Sequence, residues 1–318
     1  MKNILMLDCQ FIEQNTHFNK LIETLRDAFS SNTVQVPLRH HHDFQNSKEQ
    51  IPSTLLLMPA WNPNQEAGVK IVTVNPQNTQ YNLPSIQGLY VYLDAQNGSV
   101  KAILDAKTLT VKRTAAASAL ASSYLSKKDA SSLLMIGTGA LSTHLIEAHA
   151  SVRPIKKVYI YGRNYQKAQQ ISSLLKNKTY QVIPVKTIEE KISTVDIISS
   201  ATLSNDPLIL GKHLQKGQHL DLVGSYKRDM READDKAIVQ ATVYVDSYEG
   251  ALKESGDIVI PLEKGLLKVD EIPADLFKLC SQNIFARKSN SEITLFKSVG
   301  HALEDLTAAT YYYNQYTS

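Results

Sequence analysis

Cysteine is nearly absent from this chain. Cys9 and Cys280 are its only two in 318 residues, with no pairing or metal-ligand spacing. A disulfide framework is thereby excluded, and a reducing cytoplasm is the expected setting. Charge of one sign is not in excess either. The 34 Lys and Arg against 31 Asp and Glu leave a net charge of +3, too little to argue for a nucleic-acid partner. No apolar stretch is long enough to span a bilayer, so no membrane partner is expected. Asp8 and Glu13 interrupt the short apolar run at the start, which is not the pattern of a signal peptide. Repeats and low-complexity tracts are missing. Three adjacent histidines follow Arg39, at 40–42, but neighbours on an extended segment face opposite ways, so no metal is expected there. What is present is ordinary for a globular chain, 43% hydrophobic and 20% charged residues, with length enough for two cores.

The most informative stretch is 132–147, SLLMIGTGALSTHLIE. Residues 132–136 form a short apolar run, as expected for a strand buried on both faces. Gly137-Thr138-Gly139 follows at once, and 140–150 carries Leu141, Leu145, Ile146 and Ala148 at helical spacing. Strand, glycine turn and helix in that order make a phosphate site. The glycines permit a tight turn and close approach of the backbone, and the N–H groups at the helix start face the anion. Ser142 stands where the full fingerprint has its third glycine. Further strands are predicted at 157–161, 180–185, 196–200, 218–223 and 242–246, with a helix over 164–176. That alternation implies a Rossmann-type, doubly wound parallel sheet in an α/β fold.

The N-terminal half reads differently. A strand is expected over 2–7 and an amphipathic helix over 18–29. Strands at 55–59, 67–75, 87–93 and 100–105 suggest a mixed or antiparallel sheet, with Asn97-Gly98 as a hairpin turn. A helix rich in alanine and serine covers 109–125, and a domain boundary is expected near 120–129, where polar Ser126-Lys127-Lys128-Asp129 ends that helix. A closing helix is predicted over 293–313, carrying Leu295, Val299, Leu303 and Leu306. The tyrosines 311, 312, 313 and 316 either cap an interface or finish that helix.

The end of the second Rossmann strand bears on which dinucleotide would bind. It reads Tyr161-Gly162-Arg163-Asn164, without the carboxylate that accepts hydrogen bonds from ribose hydroxyls. Arg163 offers a planar fork of donors suited to a 2′-phosphate. The expectation is NADP(H), with NAD(H) as the alternative and a solvated helix-start arginine as the plainer reading.

Three segments together resemble the ornithine cyclodeaminase/mu-crystallin family. They are Ala67-Gly68-Val69-Lys70-Ile71-Val72 with Asn75-Pro76, the run LTVKRTAAASALA over 109–121, and Phe296-Lys297-Ser298-Val299-Gly300 with Leu303-Glu304-Asp305-Leu306. Ser199, Ala201-Thr202 and Val223-Gly224-Ser225 extend the likeness over nearly the whole chain, in the family's order. The resemblance implies two domains. A substrate-binding and dimerisation domain of α+β type would combine 1–120 with 301–318, and the NAD(P)-binding Rossmann domain would cover 121–300. It implies a homodimer and a small α-amino or α-imino acid as substrate.

Carried over residue by residue, Arg39, Lys70 and Arg113 fall where the family holds the substrate carboxylate. Ser85 falls where it has a hydroxyl for the same carboxylate. Guanidinium groups grip carboxylates bidentately, and a desolvated lysine is suited to donate a proton, which makes Lys70 the candidate catalytic residue. The candidate cofactor contacts are Gly137, Thr138, Gly139, Ala140, Leu141, Arg163, Asn164, Ala201, Thr202, Val223, Gly224, Val299 and Gly300. For Val223, plain core packing is an equal alternative.

One departure from the family's pattern is informative. Cyclodeaminases carry an aspartate shortly after the glycine of the fifth strand, and here Tyr226 stands at that place. With a reference pKa near about 10, a tyrosine is no carboxylate base at neutral pH. The pattern Gly224-Ser225-Tyr226 followed by Asp229-Met230-Arg231-Glu232 resembles the family's ketimine reductases instead, although Asp229 or Asp221 could supply a carboxylate if the loop were built differently. The expected activity is NADPH-dependent reduction of a cyclic imino acid, Δ1-pyrroline-2-carboxylate or Δ1-piperideine-2-carboxylate, to proline or pipecolate. Ornithine cyclodeamination, amino-acid dehydrogenation and mu-crystallin-like ligand binding without turnover are the alternatives.

Overall fold

The computed structural model describes residues 4–31, 33–45, 52–283 and 285–318. In chain order the first elements are β1 (Leu5–Leu7), α1 (Cys9–Gln14), α2 (Phe18–Ser31), β2 (His40–Phe44), β3 (Ser53–Asn62), β4 (Glu66–Val74), β5 (Ile86–Asp94), β6 (Val100–Asp105) and α3 (Ala106–Leu125). Then come β7 (Ser132–Ile136), α4 (Ser142–Val152), β8 (Lys157–Tyr161), α5 (Tyr165–Leu174), β9 (Gln181–Pro184), β10 (Ile197–Ser200) and β11 (His219–Leu222). The last are α6 (Asp235–Gln240), β12 (Thr242–Val245), α7 (Tyr248–Glu254), α8 (Gly256–Glu263), α9 (Leu276–Gln282), β13 (Thr294–Lys297) and α10 (Ala302–Thr317). Lys2 and Asn3, at the start of the first expected strand, lie outside the described residues. The chain divides into two compact units, 1–113 with 302–318, and 114–301.

The first unit is built on a six-stranded sheet in the order β1-β6-β5-β4-β3-β2, antiparallel except for the β1–β6 pair. Alternation along its strands sorts the side chains by face. One cross-strand row runs Met58, Lys70, Tyr90, Leu104, Leu7, all buried. Helix α10 packs on β3, β4 and β5, with α2 beside it. The stripe Leu21, Ile22, Leu25 and Phe29 buries one side of α2, as its spacing predicts. The row on the opposite face runs Pro59, Val69, Val91, Ile103, Met6. It is apolar yet half-buried at most, and Met6 is 70% exposed. Tyr311 and Tyr312 lie inside α10, which runs on to Thr317. The Tyr311 hydroxyl donates to Asn15 O, and the Tyr312 hydroxyl bonds Thr16 Oγ1 at 2.8 Å.

The second unit is a seven-stranded, all-parallel sheet in the order β12-β13-β11-β10-β7-β8-β9. This is the Rossmann-type arrangement. The chain winds outward from β7 to β9, then crosses to β10 on the other side of β7, which makes the β7/β10 edge the topological switch point where such sheets take ligands. Leu134, Ile136, Ile198, Leu220, Leu222 and Leu295 fill the core beside the sheet. No helix among the described residues is long and apolar enough to cross a membrane.

The expected closing helix over 293–313 is corrected. Thr294–Lys297 is a strand, inserted between β11 and β12, and the helix begins only at Ala302. All four strand residues are buried, and Gly300 lies between the two elements at φ 85°, a left-handed bend that no helix contains. Leu295 and Val299 thus mimicked a helical stripe with Leu303 and Leu306 while belonging to a strand and a loop.

Candidate functional site

Several predicted residues of the second unit gather at the C-terminal ends of its strands. Gly137 ends β7 at φ 116°, and a Cβ there would lie 2.7 Å from Ala201 O, so both conformation and space demand glycine. Where a Cβ of Gly139 would stand there is open space. Thr138 packs against Gly162, whose Cβ would lie 2.5 Å from Thr138 Cγ2, so the turns after β7 and β8 touch. Ser142 donates its hydroxyl to Gly139 O at 2.6 Å and closes the turn in the place of the third glycine. Leu141, at the N-cap of α4, supplies no side-chain cap, and no acidic residue lies in the first turn. N–H groups left in this way at a helix start suit an anion, so the segment from Gly137 through Ala140 and Leu141 could hold a pyrophosphate. Arg163 is exposed beside it. Asn164, by contrast, uses its side-chain oxygen to cap α5, accepting from Gln166 N at 2.9 Å and Lys167 N at 3.3 Å.

Glu232, which is not among the candidate site residues, ties two of these loops together. Its fully buried carboxylate accepts Ser200 Oγ at 2.6 Å, Thr202 N at 2.8 Å and Thr202 Oγ1 at 3.0 Å through Oε1. Through Oε2 it accepts Gly224 N at 2.6 Å and Ser225 N at 3.3 Å. The loop of Ala201 and Thr202 is thereby fastened to the loop of Val223 and Gly224, and a Cβ on Gly224 would overlap the Thr202 backbone. Burial pushes the Glu232 carboxyl up, opposed by the buried Lys297 ammonium 3.9 Å from Oε2. Lys297 also stands 3.4 Å from Asp257 Oδ2. The segment of Val299 and Gly300 is held in the same manner, since Asp246 Oδ2 accepts both N–H groups at 2.7 Å.

Of the two aspartates considered as a substitute carboxylate, Asp221 does not suit that role. Asp221 is completely buried inside the sheet, where Oδ2 accepts Ser199 Oγ at 2.7 Å and pairs with His149 Nε2 of α4 at 3.0 Å. Burial alone would push its carboxyl up, but the His149 bond and charge and the Ser199 hydroxyl hold it below the usual range. Asp229 is exposed and accepts from Asn205 Nδ2 at 3.3 Å. Tyr226 is half-buried.

In the first unit Lys70 and Arg113 come together, with two carboxylates absent from the predicted set. Lys70 Nζ donates to Asp305 Oδ1 at 2.9 Å and lies 2.7 Å from Oδ2. Arg113 donates through Nε to Asp305 Oδ1 at 2.8 Å and through Nη1 to Glu304 Oε2 at 2.7 Å. All four residues are buried. Burial pulls the Lys70 ammonium down to about 8, with Asp305 opposing and the Arg113 and Arg39 charges reinforcing the fall. A proton can therefore leave or join this nitrogen within reach of neutral pH. Arg113 remains a fixed cation, because the carboxylates outweigh its burial. Arg39 is half-buried ahead of β2, and Ser85 is half-buried ahead of β5, its carbonyl accepting Asn75 N at 2.7 Å. Among the described residues, no group of three or more His, Cys, Asp or Glu side chains is placed to hold a metal ion.

The chain as a whole has counterparts among known proteins. The family model of the ornithine cyclodeaminase/mu-crystallin family matches residues 2–318. The Δ1-pyrroline-2-carboxylate reductase of Colwellia psychrerythraea is 35% identical over 310 residues, covering 96% of each chain. The structure of Thermococcus litoralis Δ1-pyrroline-2-carboxylate reductase in complex with NADH and L-proline gives a TM-score of 0.91 at 31% identity, covering 99% of this chain and 98% of that one. An archaeal alanine dehydrogenase dimer with bound NAD gives 0.90 at 25% identity, covering 99% and 96%. Correspondence from end to end, in sequence and in fold alike, leaves one conclusion on ancestry: the chain belongs to the ornithine cyclodeaminase/mu-crystallin family.

Proposed function

We propose that this protein is a nicotinamide-dependent reductase of a cyclic α-imino acid, converting Δ1-pyrroline-2-carboxylate to L-proline or Δ1-piperideine-2-carboxylate to L-pipecolate. The observation that carries the reading is the buried meeting of the Lys70 ammonium and the Arg113 guanidinium on one oxygen, Asp305 Oδ1. The likeness to two reductases of that name supports it. The substrate is an anion with a C=N bond next to its carboxylate. Arg113 has five N–H donors and spends two on Asp305 and Glu304. Others remain for the substrate carboxylate, with Arg39 and Ser85 assisting. Lys70 gives its proton to the imine nitrogen, which makes the adjacent carbon electrophilic and completes the amine. The bound reduced nicotinamide supplies the hydride. Charge and geometry are the protein's part.

The dinucleotide would sit with its pyrophosphate on the Gly137–Gly139 turn, and Arg163, with no carboxylate at the end of β8, favours the 2′-phosphate of NADP(H). We further place two copies together as a homodimer through the open face of the first unit's sheet. The apolar row Pro59, Val69, Val91, Ile103, Met6 lies uncovered there, and the alanine dehydrogenase neighbour is a dimer. Two cysteines that form no disulfide suit the cytoplasm. The cyclodeaminase reading is the weaker one, because Asp221 is enclosed and Tyr226 stands where that activity needs a carboxylate.

A substrate panel tests the proposal. Oxidation of NADPH, faster than that of NADH, is expected with both cyclic imino acids. Release of ammonia from ornithine without net oxidation of the cofactor would make the protein a cyclodeaminase instead.

A further inference from the structure

We infer that Asp305 is a positioning residue for this reaction, holding the Lys70 ammonium in place and in its charged form while sharing the same oxygen with Arg113. The inference rests on the reading of Lys70 as proton donor and goes beyond it.

The argument begins with what surrounds Lys70. It lies in the middle of β4, opposite Met58 on β3 and Tyr90 on β5, on the sheet face that α10 covers. The charged groups that face it are Asp305 from α10, Arg113 from α3 and Arg39 from the segment ahead of β2. Two of these three are cations and repel an ammonium. Tyr90 adds no countercharge; burial and the neighbouring Asp305 charge keep its hydroxyl protonated. The second carboxylate, Glu304, is engaged with Arg113 Nη1. Asp305 is therefore the anion that keeps a proton on Lys70, and it does so with both oxygens, at 2.9 and 2.7 Å. In a buried setting such a pair interacts far more strongly than at the surface.

Asp305 is itself kept ionised by three influences. Burial would push its carboxyl up, but Arg113 and Lys70 hold it below the usual range, and it stands in the first turn of α10, where the helix dipole favours an anion. Its shared oxygen also fixes the Lys70 nitrogen relative to Arg113, since both donors converge on Oδ1. The donor of the proton and the grip on the substrate carboxylate are set in register by one atom.

The test is the pH dependence of kcat/KM with Δ1-pyrroline-2-carboxylate and NADPH. Wild-type activity should fall on the alkaline side as Lys70 loses its proton. Asp305→Asn removes the countercharge while nearly keeping the shape, so the alkaline limb should move to lower pH by about one to three units. Glu304→Gln should raise KM and leave that limb in place, as a merely structural loss near Arg113 would. An unmoved limb in active Asp305→Asn, with Lys70→Met inactive, overturns the inference and spares the reading of Lys70. Turnover retained in Lys70→Met overturns that reading itself. If Asp305→Asn is not recovered folded, the double variant Lys70→Met with Asp305→Asn decides. Its recovery with NADPH binding intact assigns the fault to an unpaired ammonium, as the inference requires; its failure to fold makes Asp305 a packing residue and overturns it.

Discussion

A buried carboxylate with five donors around it is an unusual concentration of hydrogen bonds, and Glu232 has that number on two loops. Its removal would strand the buried N–H groups of Gly224 and Ser225, at about 1–3 kcal/mol for each orphaned donor. Glu232→Gln is the sharper probe. The amide oxygen can still serve one loop, but the NH2 group then faces donors on the other. We expect weaker NADPH binding, measured by fluorescence titration, with a smaller proportional change in kcat. Unchanged cofactor affinity would show that the two loops keep their places without this carboxylate. Lys70 and Asp305 make the same point in the first unit, where a side chain's chemistry is set by partners distant in sequence.

At the scale of elements, the turn from β7 to α4 depends on backbone geometry, with the Ser142 hydroxyl closing it. Gly137 is required for its φ and for its approach to Ala201, and Gly224 for its approach to Thr202. Gly137→Ala should cost about 1–3 kcal/mol of backbone strain, lowering the thermal midpoint, and should abolish dinucleotide binding. A variant that binds NADPH as the wild type does would remove this turn from the site. The turn was legible in the sequence because its signals are local: an apolar run, two glycines, then a helical stripe. β13 was not, because its four residues are too few to show a period, Leu295 and Val299 fell in step with the stripe of α10, and the strand's place between β11 and β12 is a fact of topology. The site divides in the same way. Lys70 and Arg113 could be read from motifs that resemble the family's. Asp305 stood within a quoted motif, but its role depends on a partner 235 positions away, and nothing in a helical pattern announces that. Glu232 was quoted for its likeness and not for its contacts, which cross 30 residues or more to Ser200 and Thr202.

At the scale of the whole molecule, each unit has its own arrangement. The first unit brings its cations to the covered face of an antiparallel sheet, where burial lowers Lys70 to about 8 and two carboxylates of α10 offset the charge. The second unit arranges loops at the C-terminal ends of parallel strands, where an all-parallel sheet takes its ligand at the switch point. Length and composition foretold two cores but neither unit's chemistry. The most direct measurement is a crystal structure of the protein grown with NADPH and L-proline. The account predicts the pyrophosphate on the Gly137–Gly139 turn, the 2′-phosphate at Arg163, and the proline carboxylate on Arg113 with the amine within reach of Lys70. A dinucleotide bound elsewhere, or a proline carboxylate that touches neither Arg113 nor Arg39, would contradict it.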